Sequence, residues 1–555
     1  MDTIDDRWIT DWEPSRRFPL YTRANAGEIM PHPCSPLGWD LVWGGGVAKG
    51  WADGCHRFGT FAPEETDPDQ PDYIGCIGGY VYLNASLIRL VGVRTPGMSA
   101  EMMDAAFLGN HPDLPPYVPQ PGDEAPEVLP AIEATIASFM TATEEPPELA
   151  EDRAMILRVG ESRPDLAAAT NAELVARARS ITGLVRELFE PYYFFGVAAS
   201  LGPGMLGEVC AAIDPTMPGR LISGLGDIDS SPPGHAIWSM SRMPASSPEL
   251  ATAIADFQRA HGARGPGEWD PANPTWEIDA QPVLVAVEAM RAAGDELSPA
   301  ARNARARADR EAVEAEARAA LTGDAEAAAT LELGLRLTKI FVPCRERTKL
   351  SEMLAVHEVR LPLYELGRRM VARGVLDQSR DVFLLLDVEL DDFVADPHSY
   401  STRLRNRKTE FLSLADLQDP FIVNGAAPRL STWKRRSTAT EPVQLGDVLT
   451  GAPGSPGVVT GRARVVLDPT DARGLEVGEI LVAPLTDPSW TPLFVPAAGV
   501  VVDVGALMSH AVIVSRELGL PCVCSVYQAA HRIPDGAVIT VDGTTGTVTV
   551  VELPS

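Results

Sequence analysis

The sequence predicts a multidomain α/β protein, with a large mixed α+β region containing long helices followed by a small β/β/α domain. Three observations predict it. A chain of 555 residues exceeds what one ordinary core holds. The stretch from Pro282 to Arg347 is dominated by Ala, Arg, Glu and Leu, all strong helix formers. After residue 450, short β-branched runs bounded by Gly, Pro or Asp follow one another closely.

Taken in order, residues 15–90 are rich in Gly, Trp and Tyr, and YIGCIGGYVYLN (73–84) reads as strand. The Gly44–Gly50 stretch GGGVAKG lacks the Gly-Lys-Ser/Thr ending of a phosphate loop, so a glycine-rich surface turn is expected. Helices are expected within 125–215 and 247–262. Charge alternation makes Pro282–Arg347 a long solvated helix, one arm of a hairpin, and 349–375 continue helical. DVFLLLDVELDDFV (381–394) begins as a strand or buried turn. Mixed Pro, Gly, Ser and Thr over 425–455 read as a linker. The expected division is therefore 1–425, a linker at 426–450, and 451–555. In the last part VVTGRARVVL, EILVAPL, GVVVDV, PCVCSV and AVITVDGTTGTVTVVEL are strands. HAVIVSRELGL between them is one short helix stopped by Gly519.

A formal net charge of −29 excludes a nucleic-acid binder, which needs a basic face, and disfavours anionic membranes. Such a surface also repels free ATP, so a nucleotide site must be locally basic or lie elsewhere. The opening MDTIDDRWITDWE has no apolar core, and no apolar run is long enough to span a bilayer. Seven scattered cysteines without CxxC or Cys/His spacing read as reduced thiols; the expected compartment is the cytoplasm, and no metal site is expected. Cys522 and Cys524 are expected on opposite faces of a strand.

The chemistry concentrates in Asp503-Val-Gly-Ala-Leu-Met-Ser509-His510 and the helix beyond it. A strand ends at Asp503, a Gly-containing turn follows, Ser509 takes the N-cap and His510 opens the helix. This sets an imidazole beside unpaired backbone N–H groups at the positive end of a helix dipole, where an anion on the ring is favoured. A neutral histidine nitrogen attacks phosphorus near neutral pH, and the phosphoramidate passes its group onward. Ser509 is expected to cap the helix and to donate to a phosphate oxygen. A histidine that merely packs a helix is the bland alternative.

GSPGVVTGRARVV (454–466), EILVAPLTDPSWTPLF (479–494), GALMSHAVIVSRELGLPCV (505–523) and DGAVITVDGTTGTV (535–548) decide against that alternative. Together they resemble the phosphohistidine swivelling domain of phosphoenolpyruvate-utilising enzymes. The resemblance implies a phosphohistidine intermediate on His510, with Thr486–Trp490 on the loop beside it. TRANAGEIMPHPCSPLGWD (22–40), YVYLN (80–84), HGARGPGEWDPANPTWE (261–277), RERTKL (345–350) and DVFLLLDVEL (381–390) resemble the acceptor domain of rifampin phosphotransferases. Related phenol-phosphorylating systems, phenylphosphate synthase among them, place the ATP-binding part on a separate polypeptide.

Phosphoryl transfer needs cations around the equatorial oxygens and a base for the incoming hydroxyl. Arg345 and Lys349 share a helix face and are expected to grip the group, with Glu346 as base; the resemblance implies the same roles. Arg264 is a further phosphate ligand, and His261 or Glu268 a proton relay, in a loop also holding Asp270. Asn25 and Glu28 are placed at the mouth of the acceptor site. Trp39, Trp43, Tyr80 and Phe195 are candidates for its apolar wall. The expectation is one subunit of a two-component, dikinase-type phosphotransferase. A separate ATP-grasp subunit binds Mg-ATP, and the acceptor is a small phenolic hydroxyl compound. A rifamycin-like acceptor and a non-enzymatic phosphocarrier are the alternatives.

Overall fold

The computed structural model describes residues 6–554 apart from 67–69, 71, 109–112, 227, 437–440, 470–474 and 507–508. The chain is mixed α/β, as expected, and forms two compact units. The first comprises 1–197, 267–273 and 348–436; the second comprises 198–266, 274–347 and 437–555. The helices needed below are α1 (Asn171–Cys210), α2 (Pro232–Ser241), α3 (Pro299–Ala320), α4 (Ala325–Ala372), α5 (Thr491–Phe494) and α6 (His510–Leu518). The strands of the first unit are β1 (Leu20–Thr22), β2 (Ile74–Ile77), β3 (Tyr80–Asn84) and β4 (Ile422–Asn424).

In the first unit these four strands form an antiparallel sheet ordered β2-β3-β1-β4. Gly78 and Gly79 turn β2 into β3 with φ of 60° and 79°, the paired left-handed conformation of a two-residue hairpin. The expected surface turn at Gly44–Gly50 is instead buried helix: a π-helical segment, Trp39–Val47, runs straight into the α-helix Ala48–Phe58. The glycines permit close approach to α1. A Cβ on Gly46 would stand 2.5 Å from Val185 Cγ1, and one on Gly50 2.5 Å from the Arg186 carbonyl oxygen. DVFLLLDVELDDFV begins in a buried 3₁₀ segment, Ser379–Leu384, passes through a second that is not buried, Asp387–Glu389, and ends in the short helix Leu390–Ala395.

In the second unit, Pro282–Arg347 is not one helix. Helix Gln281–Met290, α3 and the first part of α4 divide it, with α3 and α4 joined by the short turn at 321–324. Ser298 caps α3 by accepting the Ala301 N–H.

The C-terminal part holds β5 (Val448–Thr450), β6 (Ala452–Ser455), β7 (Val458–Val465), β8 (Ile480–Ala483), β9 (Gly499–Val502), β10 (Cys522–Cys524), β11 (Val538–Asp542) and β12 (Thr547–Glu552). They form one sheet ordered β5-β12-β11-β7-β8-β9-β10-β6. The central β7-β8-β9-β10 ladder is parallel, and both edges are antiparallel. Strands β8 and β9 are buried along their whole length, which is why ILVA and GVVV are continuous apolar runs. Alternation sorts their side chains between two cores. Leu481, Ala483, Val500 and Val502 pack with α6, whereas Ile480, Val482 and Val501 pack with β11 and β12. Cys522 and Cys524 both join the α6-side core, with Val523 on the other. Their expected opposite orientation is therefore corrected: residues two apart on a strand share a face. All seven cysteines are buried, and none forms a disulfide among the described residues. Among the described residues no helix is long and apolar enough to cross a membrane.

Candidate functional site

His510 is the first residue of α6 and is half-buried rather than sealed. Gly519 ends the helix in the left-handed conformation (φ 63°), its N–H directed to the Ser515 and Arg516 carbonyls. Both imidazole nitrogens meet threonine hydroxyls. Thr486 Oγ1 lies 3.0 Å from Nδ1 and Thr491 Oγ1 3.2 Å from Nε2. The Phe494 ring meets the imidazole edge-on, 5.6 Å between centroids. A hydroxyl both donates and accepts, so the pair holds a neutral imidazole in either tautomer. When one nitrogen bonds phosphorus, the hydroxyl it releases can donate to a phosphate oxygen.

Ser509 takes the N-cap position, but its side chain makes no capping hydrogen bond. Its Oγ is buried without a partner among the described residues, near the space a Cβ on Gly505 would fill. The capping expectation is thus corrected. The hydroxyl is left available to a ligand at the helix start, where no side chain caps the first-turn N–H groups. Leu507 and Met508 of the motif lie outside the described residues. Asp503, just beyond β9, accepts the Ala530 N–H at 2.7 Å, and burial pushes its carboxyl up to about 7.

Arg345, Glu346 and Lys349 lie on α4, the first two in the second unit and Lys349 in the first. Arg345 Nη1 donates to Glu346 Oε1 at 2.6 Å, and Glu346 is only 6% exposed. The carboxylate is therefore paired with its neighbouring cation. Lys349 is buried one turn beyond Arg345.

The second cluster is divided between the units. His261 and Arg264 belong to the second unit, where Arg264 is buried and its carbonyl accepts the Trp276 N–H. Burial and the Arg264 charge push His261 down to about 4, so its ring is neutral at pH 7. Glu268 and Asp270 belong to the first unit. Asp270 accepts the Ser35 N–H and hydroxyl at 2.9 and 2.6 Å, and Arg360 donates to the Glu268 and Asp270 carbonyls. The Asp270 carboxylate thus fastens the loop to Ser35, while Glu268 is held to Arg360 through its carbonyl. Asn25 is exposed with φ 61° before the helix Ala26–Ile29, and Glu28 stands in that helix's first turn.

The four aromatics do not form one wall. Trp39 and Trp43 lie in one core cluster and Tyr80 in another, its hydroxyl donating to the Leu414 carbonyl. Phe195 packs edge-on against Phe194. All four are core, at 2% exposure or less.

Thr491 was not singled out from the sequence as a ligand, although it stands within the quoted 479–494 stretch. Its spacing of five from Thr486 signals nothing until α5 folds both hydroxyls onto one ring. Ile513, one turn beyond His510, packs with Ile228 and Val342, and Val342 lies one turn before Arg345–Glu346 on α4.

Residues 475–546 match the family described as PEP-utilising enzyme, mobile domain, and residues 196–346 match the rifampicin phosphotransferase fourth domain. A rifampicin phosphotransferase of Streptomyces sviceus is 35% identical over 306 residues, 54% of this chain and 34% of its own length. One of Bacillus subtilis is 38% identical over 180 residues, 32% of this chain and 20% of its own. An uncharacterised protein of Mycobacterium tuberculosis is 39% identical over 201 residues, covering 36% of this chain and 22% of its own length. The chain thus spans 34% or less of these relatives. The likeness to phosphoenolpyruvate-utilising enzymes that the motifs implied is shown over the two matched segments.

Proposed function

From a mobile domain of the phosphoenolpyruvate-utilising family joined to a rifampicin phosphotransferase fourth domain, we propose a phosphotransferase that carries its phosphoryl group on His510. The single observation that carries the reading is the half-buried imidazole at the start of α6, bracketed by two hydroxyls at its nitrogens. In the first half-reaction a ring nitrogen attacks the β-phosphorus of Mg-ATP, forming an N–P bond as the α–β P–O bond breaks and AMP leaves; water then takes the γ-phosphoryl group as inorganic phosphate, and one phosphoryl group stays on His510. The nucleotide is held by a separate ATP-grasp subunit. The helical conformation of Gly44–Gly50 supports placing it there, since those buried glycines leave no loop to cradle phosphate. In the second half-reaction the acceptor oxygen attacks phosphorus, the N–P bond breaks, and the hydroxyl proton leaves to Glu346, Glu268 or water. Arg345, Lys349 and Arg264 neutralise the moving group, and Ser509 donates to it. Asn25, Glu28 and His261 border the acceptor.

The acceptor is a small, phenolic hydroxyl compound. A rifamycin-like acceptor is the second reading, favoured by the match over 196–346. The domains assigned are 1–425 for the acceptor, 426–450 as tether and 451–555 for the carrier, acting in the cytoplasm; residues 437–440 of the tether lie outside those described.

The test supplies β-³²P-ATP and a purified ATP-grasp partner, then phenols, alcohols and rifamycin in turn. Label is expected on the wild-type chain, discharged only when an acceptor is added, and absent from His510→Ala. Lys349→Ala is expected to label normally and to discharge at least about 100-fold more slowly, the scale of losing one charged stabiliser of a transferring group. Normal discharge by Lys349→Ala would remove Lys349 from the acceptor site, and label without any discharge would favour a regulatory phosphocarrier.

A further inference from the structure

Within the second unit the C-terminal domain is seated on helices of the 198–347 segment, and the polar groups that hold it are unusual for a permanent interface. Glu517 lies seven residues after His510 on α6, so both project from one side of that helix. It is 3% exposed. Its carboxylate accepts the backbone N–H of Leu225 at 3.0 Å and of Gly226 at 3.2 Å. The loop is shaped for this purpose. Gly224 and Gly226 both take positive φ, 58° and 85°, which turns two consecutive N–H groups toward one anion. A Cβ on Gly224 would stand 2.5 Å from the Arg307 backbone nitrogen. Arg310 on α3 pins the loop by donating to the Gly224 carbonyl at 2.7 Å.

The second fastening has the opposite charge. Arg302 on α3, 6% exposed, donates to the carbonyls of Phe494 at 3.3 Å and Ala497 at 3.1 Å. Phe494 closes α5 and carries the ring set against His510. Apolar contact fills the space between. Ile513 meets Ile228 and Val342, and Val495 joins the cluster of Ile237, Met240 and Trp276 around α2.

Burying a carboxylate or a guanidinium against backbone groups is expensive, and the hydrogen bonds formed largely offset that cost rather than exceed it. Both ions regain full hydration when the surfaces part. An interface built to stay would place apolar side chains at these two positions. One built to seat a domain in a defined pose and then release it gains direction from two oppositely charged side chains, each matched to backbone groups on the other partner.

We infer that Glu517 and Arg302 are positioning residues: a two-point, releasable clasp that seats the His510 domain on the 198–347 segment, at the side of α4 leading to Arg345. Its meaning as the acceptor-side station rests on the phosphotransfer reading above; the clasp itself does not.

Hydrogen exchange of the full-length chain, followed by mass spectrometry, tests it for wild type, Glu517→Gln and Arg302→Gln. In the first variant the side-chain amide keeps its oxygen for one backbone N–H and turns its own N–H donors toward the other. In the second, the shorter neutral amide cannot reach both carbonyls as a charged fork does. Amides of 225–226 are expected to exchange roughly ten-fold faster or more in both variants, the scale of losing hydrogen bonds to a charged group. Strands β8 and β9 should keep their protection. Unchanged exchange at 225–226 overturns the clasp, and so does exchange that rises equally in β8 and β9, which would make the residues ordinary fold supports. Either variant alone suffices should the other not fold. Phosphoramidate, which phosphorylates histidine without any protein partner, is offered to the same samples and read by ³¹P NMR. His510 of the unseated variants is expected to label severalfold faster than wild type; equal rates overturn the inference that the clasp orients this ring. A His510 that takes no phosphoryl group in any sample, with the exchange result intact, sinks the carrier reading and leaves the clasp standing.

Discussion

Replacing Asp503 by Asn should stabilise the C-terminal domain in a pH-dependent way. Burial lifts this carboxyl from 3.8 to about 7, even though the Ala530 N–H donates to it. A carboxyl whose folded value lies above its unfolded one binds its proton more tightly when folded. Its contribution is fully present below about pH 4 and is lost as pH rises through the folded value near 7. A rise from 3.8 to about 7 corresponds to at most about 4 kcal/mol. An advantage of at most about 4 kcal/mol is therefore expected at pH 8, where the carboxyl is ionised in both folded and unfolded chains. Asn keeps an oxygen for the Ala530 N–H and removes only the charge. The assay is native-state amide exchange of β8 and β9 in the full chain at pH 5, 6, 7 and 8, corrected for intrinsic rates. The variant's advantage should grow from pH 5 to 7 and then level off. An advantage equal at pH 5 and pH 8 would refute the assignment of a buried, ionising carboxylate.

Other perturbations follow from the same geometry. Gly50→Ala forces a Cβ to within 2.5 Å of the Arg186 carbonyl oxygen, so a loss of about 1–3 kcal/mol is expected in thermal unfolding. Gly183→Ala, on the exposed side of α1 with nothing within 4 Å, should instead gain about 0.5–1 kcal/mol, and the opposite signs make the pair a check on the packing account. Thr491→Val removes the hydroxyl 3.2 Å from Nε2 and should slow labelling of His510 by phosphoramidate about five-fold, the worth of one ordinary hydrogen bond. An unchanged rate would mean that this nitrogen is not the one held for chemistry.

Much of the C-terminal domain was legible because its signals are local. Runs such as ILVA and GVVV declare buried strands, and Gly519 ends α6 where a left-handed residue is needed. His510 at a helix start follows from the same short-range grammar. Ser509 shows its limit: the N-cap position was readable, but the direction of its hydroxyl depends on the turn at Gly505 packing beside it.

What the residues determined alone is therefore backbone conformation over spans of a few residues, where steric and hydrogen-bonding preferences act between near neighbours. Tertiary structure decided everything that required a distant partner. Gly44–Gly50 looks like a turn until α1, well over a hundred residues later, presses on it and makes the missing side chains a packing surface. Asp270 reads only as one more member of a polar loop until Ser35 occupies both its oxygens. Glu517 looks like one more solvated acid on a helix, in a chain of formal charge −29, until two backbone amides from residues 225 and 226 meet it. Burial and charge pairing are properties of surfaces brought together by folding. A carboxylate's role is set by what desolvates it, and that neighbour is rarely adjacent in the chain.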